Sequence, residues 1–166
     1  MANTVHDFLE RLDAVERRLS DHAASEQHAG LTTPDARTGE RWDAGQIWAH
    51  LGEFLPYWID QAHTVVSSWR VEPVPFGRVK SDPHRVAIIE RDRLRAPDEL
   101  MDQISAGIAA TRSFLTNLPP DAWRAIGRHQ TLGDMPLERI VDEFMVGHLE
   151  EHAEQLDELT RKTPRF

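Results

Sequence analysis

The chain of 166 residues contains no cysteine. This absence excludes disulfide bonds, thiolate metal sites and a thiol nucleophile supplied by the protein itself. Any sulfur chemistry must therefore come from a bound small molecule. The length suits one domain with a substantial core, so we expect a single domain over residues 1–166.

Positive charge is also scarce. The formal net charge is -9 at pH 7, and the basic residues form no run. Because nucleic-acid binding needs a clustered positive field, we expect no nucleic-acid partner. No apolar stretch approaches the roughly 20 residues of a membrane-spanning helix, and the segment MANTVHDFLERL lacks the apolar region of a signal peptide. We expect a cytoplasmic protein with no membrane partner.

Apolar residues recur at helical spacing in several segments, and no segment shows the alternation of a strand. The first stripe consists of Val5, Leu9, Leu12, Val15 and Leu19. The second runs from Ile47 to Trp69, after Asp43 as a helix N-cap, and it contains Pro56, which can kink a helix. Both patterns predict amphipathic helices.

Two further long helices follow a proline-rich linker, RVEPVPFGRVKSDP, and a short helix around HRVAIIERDRL. One begins at Pro97, where the missing proline N–H is harmless, and ends near Leu118. The last runs from Leu137 to Leu159. Four amphipathic helices joined by long connections predict an all-α fold, a four-helix bundle with crossover connections.

Three histidines lie on these apolar stripes. His148 and His152 are one turn apart in VGHLEEHAEQL, and His50 lies between Ile47 and Phe54. Side chains four residues apart are neighbours on a helix, so two imidazoles can converge on one ion. With His50 from a facing helix, the set would leave a fourth position open, as in catalytic zinc sites. The alternative is three core histidines, each hydrogen-bonded within the protein.

Two glutamates adjoin these histidines. Glu53 lies one turn after His50 and is either an orienting group, a base or a solvated side chain. Glu151 completes HLEEH, which fits the H-x-x-E-H pattern of inverted zinc peptidases, where the glutamate activates water. Those enzymes need a downstream carboxylate ligand, for which little chain remains. A metal-dependent hydrolase therefore stays an alternative, as does a non-catalytic, metal-stabilised binding module.

Two segments, DAGQIWAHLGEF and GRHQTLGDMPLERIVDEFMVGHLEEHAEQL, resemble the DinB/YfiT-like superfamily of bacterial four-helix-bundle metalloproteins. The similarity extends from the first helix to about residue 160. It implies that His50, His148 and His152 bind one divalent transition metal ion, with zinc favoured and nickel as the alternative. Characterised relatives are transferases and isomerases that depend on low-molecular-weight thiols.

The resemblance therefore implies a thiol-dependent S-transferase in which the metal activates a small-molecule thiol. We expect the electrophile to enter near Trp42 and His129, which are candidate contacts of the bound thiol. The candidate catalytic residues are Glu53 and Glu151. The family and the frequency of twofold oligomers also lead us to expect a homodimer.

Overall fold

The computed structural model describes residues 2–68, 70 and 72–162. Its helices, in chain order, are α1 (Ala2–Ala23), α2 (Ala44–Ser68), α3 (Pro83–Asp92), α4 (Pro97–Asn117), a 3-10 turn (Pro120–Arg124), α5 (Leu137–Val141), a π-helical turn (Asp142–Val146) and α6 (Gly147–Lys162). The strands are β1 (Val74–Phe76), β2 (Ile126–His129) and β3 (Gly133–Pro136). Trp69, predicted in the second apolar stripe, lies outside the described residues.

The four long helices form a bundle. Helix α4 packs against α1 and α2, and α6 packs against the same two helices. Helices α1 and α2 therefore occupy opposite corners although they follow one another in the chain, and residues 24–43 cross the end of the bundle. This arrangement confirms the predicted four-helix bundle with crossover connections. No helix among the described residues is long and apolar enough to cross a membrane.

The predicted N-cap of α2 is confirmed by its capping bonds. The Asp43 carboxylate accepts a hydrogen bond from the Gln46 N–H at 2.8 Å, and the Gln46 side chain accepts one from the Asp43 N–H at 3.0 Å. This reciprocal pair satisfies two N–H groups at the start of α2. Asp82 caps α3 with a single bond, since its side chain accepts from the Arg85 N–H at 2.9 Å. Helix α2 continues through Pro56.

The core is built from the apolar stripes. In α2 the predicted stripe is buried along its described length, at Ile47, Leu51, Phe54, Trp58, Ala62 and Val65. In α1 the buried residues are Phe8, Leu12, Val15 and Leu19, while Val5 and Leu9 pack at the edge. Burying one such side chain contributes about 1.5–3 kcal/mol, so the stripes hold the four helices together.

The prediction that the chain has no strand is wrong. Strand β1 pairs in parallel with β2, and β2 pairs antiparallel with β3. These strands have only three or four residues each, which is too short for an alternating pattern to stand out. The register sets Phe76 opposite His129, so the next residue, Gly77, lies directly against the His129 ring.

Gly77 and Gly133 offer a matched pair of substitutions. Both have positive φ, +89° and +74°, but a Cβ at Gly77 would lie 2.9 Å from His129 Nε2, whereas one at Gly133 would meet nothing within 4 Å. We expect Gly133→Ala to lower the free energy of unfolding by about 1–2 kcal/mol, from backbone strain alone. Gly77→Ala should lower it by at least about 1 kcal/mol more, because its methyl group must displace a buried ring.

Urea unfolding followed by tryptophan fluorescence measures both free energies. Equal losses in the two variants would show that the contact between Gly77 and His129 is not tight in solution.

Candidate metal centre

Helices α2 and α6 bring the three predicted histidines together. The candidate ligand nitrogens of His50, His148 and His152 all lie within 4.8 Å of one another. The Nε2 atom of His148 is 3.0 Å from Nε2 of His50 and 3.1 Å from Nε2 of His152. A tetrahedral ion about 2.0–2.1 Å from each nitrogen would separate the nitrogens by about 3.3 Å. Small shifts of the side chains would therefore be enough to accommodate such an ion.

The opposite ring nitrogen of each histidine faces a side-chain oxygen three residues later in the same helix. The Nδ1-to-oxygen distances are 2.7 Å for His50 and Glu53, 2.8 Å for His152 and Gln155, and 3.6 Å for His148 and Glu151. Residues three apart lie on the same helical face, which explains the repeated contact. At His50 and His152 the oxygen is within hydrogen-bonding distance, so it holds the ring proton on Nδ1 and leaves the Nε2 lone pair free to bind a metal.

Burial keeps two of these rings neutral. It lowers the pKa of His50 well below the ordinary value, helped by the neighbouring His152 and His148. It also lowers the pKa of His152 to about 3, again helped by His148. Neutral imidazole is the form that binds metals, and three such nitrogens suit zinc, nickel, copper or iron(II). The donor set thus fits a divalent transition metal ion.

Glu53 is buried, so its interpretation as a solvated side chain is excluded. Its side chain is 5% exposed, and Arg78 donates hydrogen bonds to both carboxylate oxygens, at 2.6 and 2.7 Å. The Arg78 guanidinium in turn lies 4.1 Å from the centre of the Tyr57 ring. Burial raises the pKa of Glu53, while the Arg78 hydrogen bonds oppose that rise. This carboxylate is held in a fixed position against His50.

Glu151 lies in a different environment. Its side chain is 63% exposed, and its carboxylate faces Nδ1 of His148, on the ring edge away from the three Nε2 atoms. The contact with His148 lowers the pKa of Glu151. Glu151 therefore lies at the outer rim of the centre, ionised and in contact with solvent.

Aromatic rings enclose the imidazoles. Trp42 is stacked parallel to His152 with centroids 5.7 Å apart, and its ring meets His50 edge-on at 5.2 Å. Phe54 packs against His148 at 4.8 Å. The His148 side chain is 24% exposed, whereas that of His50 is 4% exposed. The centre is consequently screened by rings on two sides and opens to solvent beside His148.

Trp42 is fixed from behind by the loop before α2. Its backbone N–H donates to Thr32 Oγ1 at 2.9 Å, and its carbonyl accepts from the Thr32 N–H at 2.9 Å. Thr32 is itself buried. These two hydrogen bonds hold Trp42 against the centre although it lies in the long connection between α1 and α2.

His129 is not brought to the three histidines. It ends β2, where its Nδ1 accepts hydrogen bonds from the N–H groups of Thr131 and Leu132, and its Nε2 lies 3.4 Å from the Arg78 carbonyl oxygen. Both ring nitrogens are therefore engaged in holding the β2–β3 turn and the segment after β1. A role for His129 in contacting a thiol stays a prediction.

Sequence reasoning missed three residues around the centre. Gln155 could have been found, because it stands three residues after His152 as Glu53 does after His50. Arg78 gave no such signal, since it lies in the linker, 25 residues from Glu53. Phe54 was assigned only to the core, although it also packs against His148.

Comparison with known proteins agrees with this architecture. The DinB superfamily profile matches residues 5–156. No curated protein sequence matches the chain significantly. A similar solved structure is that of YfiT from Bacillus subtilis, which is described as a probable metal-dependent hydrolase with an unusual four-helix bundle topology. It superposes with a TM-score of 0.72 at 17% sequence identity, and the match covers 95% of this chain and 86% of YfiT.

A second similar structure is a mycothiol-dependent maleylpyruvate isomerase, with a TM-score of 0.67 at 15% identity. The match covers 92% of this chain but 60% of the isomerase, so the chain spans about three fifths of that enzyme's length. At such identities the two likenesses show the fold alone. The match to the superfamily profile over most of the chain shows more: this protein belongs to the DinB superfamily.

Proposed function

We propose that the protein binds one divalent transition metal ion through His50, His148 and His152 and uses it to activate a low-molecular-weight thiol for S-transfer. The observation that carries the proposal is that the three Nε2 atoms converge while Nδ1 of His50 and of His152 is hydrogen-bonded to an oxygen on the far side of the ring. Without a cation, at least two of these lone pairs would face one another inside the protein, where repulsion is poorly screened. Zinc is our first choice of metal and nickel the second.

The absence of cysteine directs the chemistry to an external thiol. A bound divalent ion with an open position lowers the pKa of a thiol and so makes it a nucleophile at neutral pH. The thiolate sulfur would then form a bond to an electrophilic carbon as the leaving group on that carbon departs with its bonding electron pair. The thiol proton would pass to solvent at the exposed side of the centre. The mycothiol dependence of one structural neighbour supports a thiol substrate.

The surrounding side chains have distinct roles in this proposal. Glu53 is a positioning residue that holds the His50 ring, and Arg78 fixes Glu53. Trp42 and Phe54 exclude water from two sides of the centre. The exposed edge of His148 marks the side from which thiol and electrophile enter.

A metal-dependent hydrolase is the second candidate, because YfiT is described as probably one and Glu151 is adjacent to His152. In this protein, however, the Glu151 carboxylate faces the outer edge of His148 rather than the convergent Nε2 atoms. A general base must reach a water molecule at the open metal position, so this orientation favours transfer over hydrolysis.

The first test is metal content. Protein purified without added metal should carry about one transition metal ion per chain, and His50→Ala/His148→Ala should carry none, because the remaining histidine cannot hold the ion alone. Elemental mass spectrometry measures the content. The matched control, His6→Ala/His84→Ala, removes two exposed histidines and should retain the ion. A native protein that stays empty when offered zinc or nickel would make the three histidines core polar groups.

The second test separates the two glutamates. Glu53→Gln should weaken zinc binding about 10- to 100-fold, since an amide holds the His50 ring less firmly and leaves Arg78 without its carboxylate. Glu151→Gln, in the exposed equivalent position, should change the affinity less than about threefold. Competition with a chromophoric chelator measures both constants, and circular dichroism checks the fold. Equal effects would contradict the positioning role of Glu53.

The third test is activity. Zinc-loaded protein should conjugate mycothiol, bacillithiol or glutathione to monobromobimane above the uncatalysed rate, and His148→Ala should lose at least about 99% of that excess because the ion is lost. Fluorescence of the conjugate measures the rate. Glu151→Gln should keep transferase activity. Hydrolysis of ester or amide substrates that disappears in Glu151→Gln, while the metal stays bound, would instead establish the hydrolase.

A further inference from the structure

A second buried arginine lies beside the metal centre without a carboxylate partner. Arg85, on α3, is 7% exposed, and its Nη1 donates a hydrogen bond to the Lys80 carbonyl oxygen at 2.6 Å. Among the described residues, no carboxylate comes within 4.0 Å of its guanidinium nitrogens. Arg78 differs from Arg85 in this respect, because it is hydrogen-bonded to both carboxylate oxygens of Glu53.

Most of the hydrogen-bonding capacity of Arg85 is unused. A guanidinium has five N–H donors in a planar fork, and the carbonyl of Lys80 accepts from one nitrogen only. In the part of the chain that the structure describes, no fully buried side-chain nitrogen or oxygen lacks a partner. The other guanidinium nitrogens must therefore keep some contact with solvent. Burial lowers the pKa of Arg85, although the carboxylates of Glu40, Glu53 and Asp82, none of them in direct contact with the guanidinium, oppose that shift.

The position of Arg85 relates it to the metal centre. Its guanidinium lies 5.3 Å from the centre of the Trp42 ring, and that same ring packs against His50 and His152. The Trp42 ring thus contacts both the guanidinium of Arg85 and the convergent histidines. A small molecule that is held at the metal and passes the edge of this ring could reach Arg85.

We infer that Arg85 binds a carboxylate of the substrate whose sulfur or electrophilic carbon reacts at the metal centre. The planar fork of a guanidinium matches the two oxygens of a carboxylate, and burial strengthens the pairing. The substrate class is therefore a carboxylate-bearing thiol or electrophile. This inference rests on the proposed function, because it assumes that the reacting group lies at His50, His148 and His152.

Paired probes test the inference on the cobalt(II)-substituted protein. Each probe is an ω-mercaptocarboxylate of two to six carbons, compared with the uncharged mercaptoalcohol of the same length. Binding of sulfur to cobalt produces a charge-transfer absorption, which gives a dissociation constant without any turnover. We expect at least one carboxylate to bind about tenfold more tightly than its alcohol, the effect of one charge-assisted hydrogen-bonded pair.

Variants of the protein test whether Arg85 is the residue responsible for the preference for the carboxylate. Arg85→Gln should abolish it while leaving the affinity for the alcohols unchanged, and Arg85→Lys should retain part of it, because a charge without the fork remains. Arg128→Gln, which removes an exposed arginine on β2 that is paired with Asp134, should keep the full preference. Cobalt binding and circular dichroism confirm that each variant is folded.

The outcomes distinguish failure of the inference about Arg85 from failure of the proposed thiol chemistry. Equal affinities for acid and alcohol at every length, or a preference that persists in Arg85→Gln, would overturn the inference and leave the metal centre standing. A cobalt spectrum that no thiol perturbs would overturn the proposed thiol chemistry, and this inference with it.

Discussion

Glu53 accepts a hydrogen bond from His50 and two from Arg78, and these bonds join the bundle to the small sheet. Arg78 follows Gly77 at the end of β1, where the His129 ring contacts both residues. The position of one histidine on α2 thus depends on a carboxylate, on an arginine from a linker and on the register of two short strands. A buried carboxylate with a single partner would be costly, which explains why the linker must return to the centre.

Much of the fold could be predicted from the sequence, because the helices carry long periodic stripes and local capping signals. The stripe of α2 and the cap at Asp43 required no tertiary information. The three strands were missed since each is stabilised by pairing with distant residues rather than by its own pattern. Within the site, the histidines were predictable from their place on the stripes, whereas Arg78 and Arg85 were not, because nothing local directs a linker residue or an outer helix towards the centre.

The π-helical turn before His148 shifts the burial pattern in a way that regular helical spacing does not predict. Regular spacing places Phe144 in the core, but across this turn Met145 and Val146 are buried and Phe144 packs partly exposed against Trp58 and His129. The turn closes with the Gly147 N–H donating to the Asp142 carbonyl, five residues back. A Cβ at Gly147 would lie 2.6 Å from that oxygen, so glycine is needed where α6 begins. Such insertions are frequent at functional sites because they rotate the residues that follow.

The charges on and around the three histidines determine which groups the centre can bind and activate. Three neutral imidazoles would leave the charge of a bound divalent ion undiminished, unlike carboxylate or thiolate ligands, so the ion would exert its full effect on the pKa of a coordinated group. Glu53 compensates Arg78 directly, while Arg85 adds a further positive charge that no described carboxylate contacts within 4.0 Å. In a chain of net charge -9, this places positive charge locally beside the three histidines. Under the proposed function, this charge would attract an anionic substrate and would favour deprotonation of a thiol held beside it.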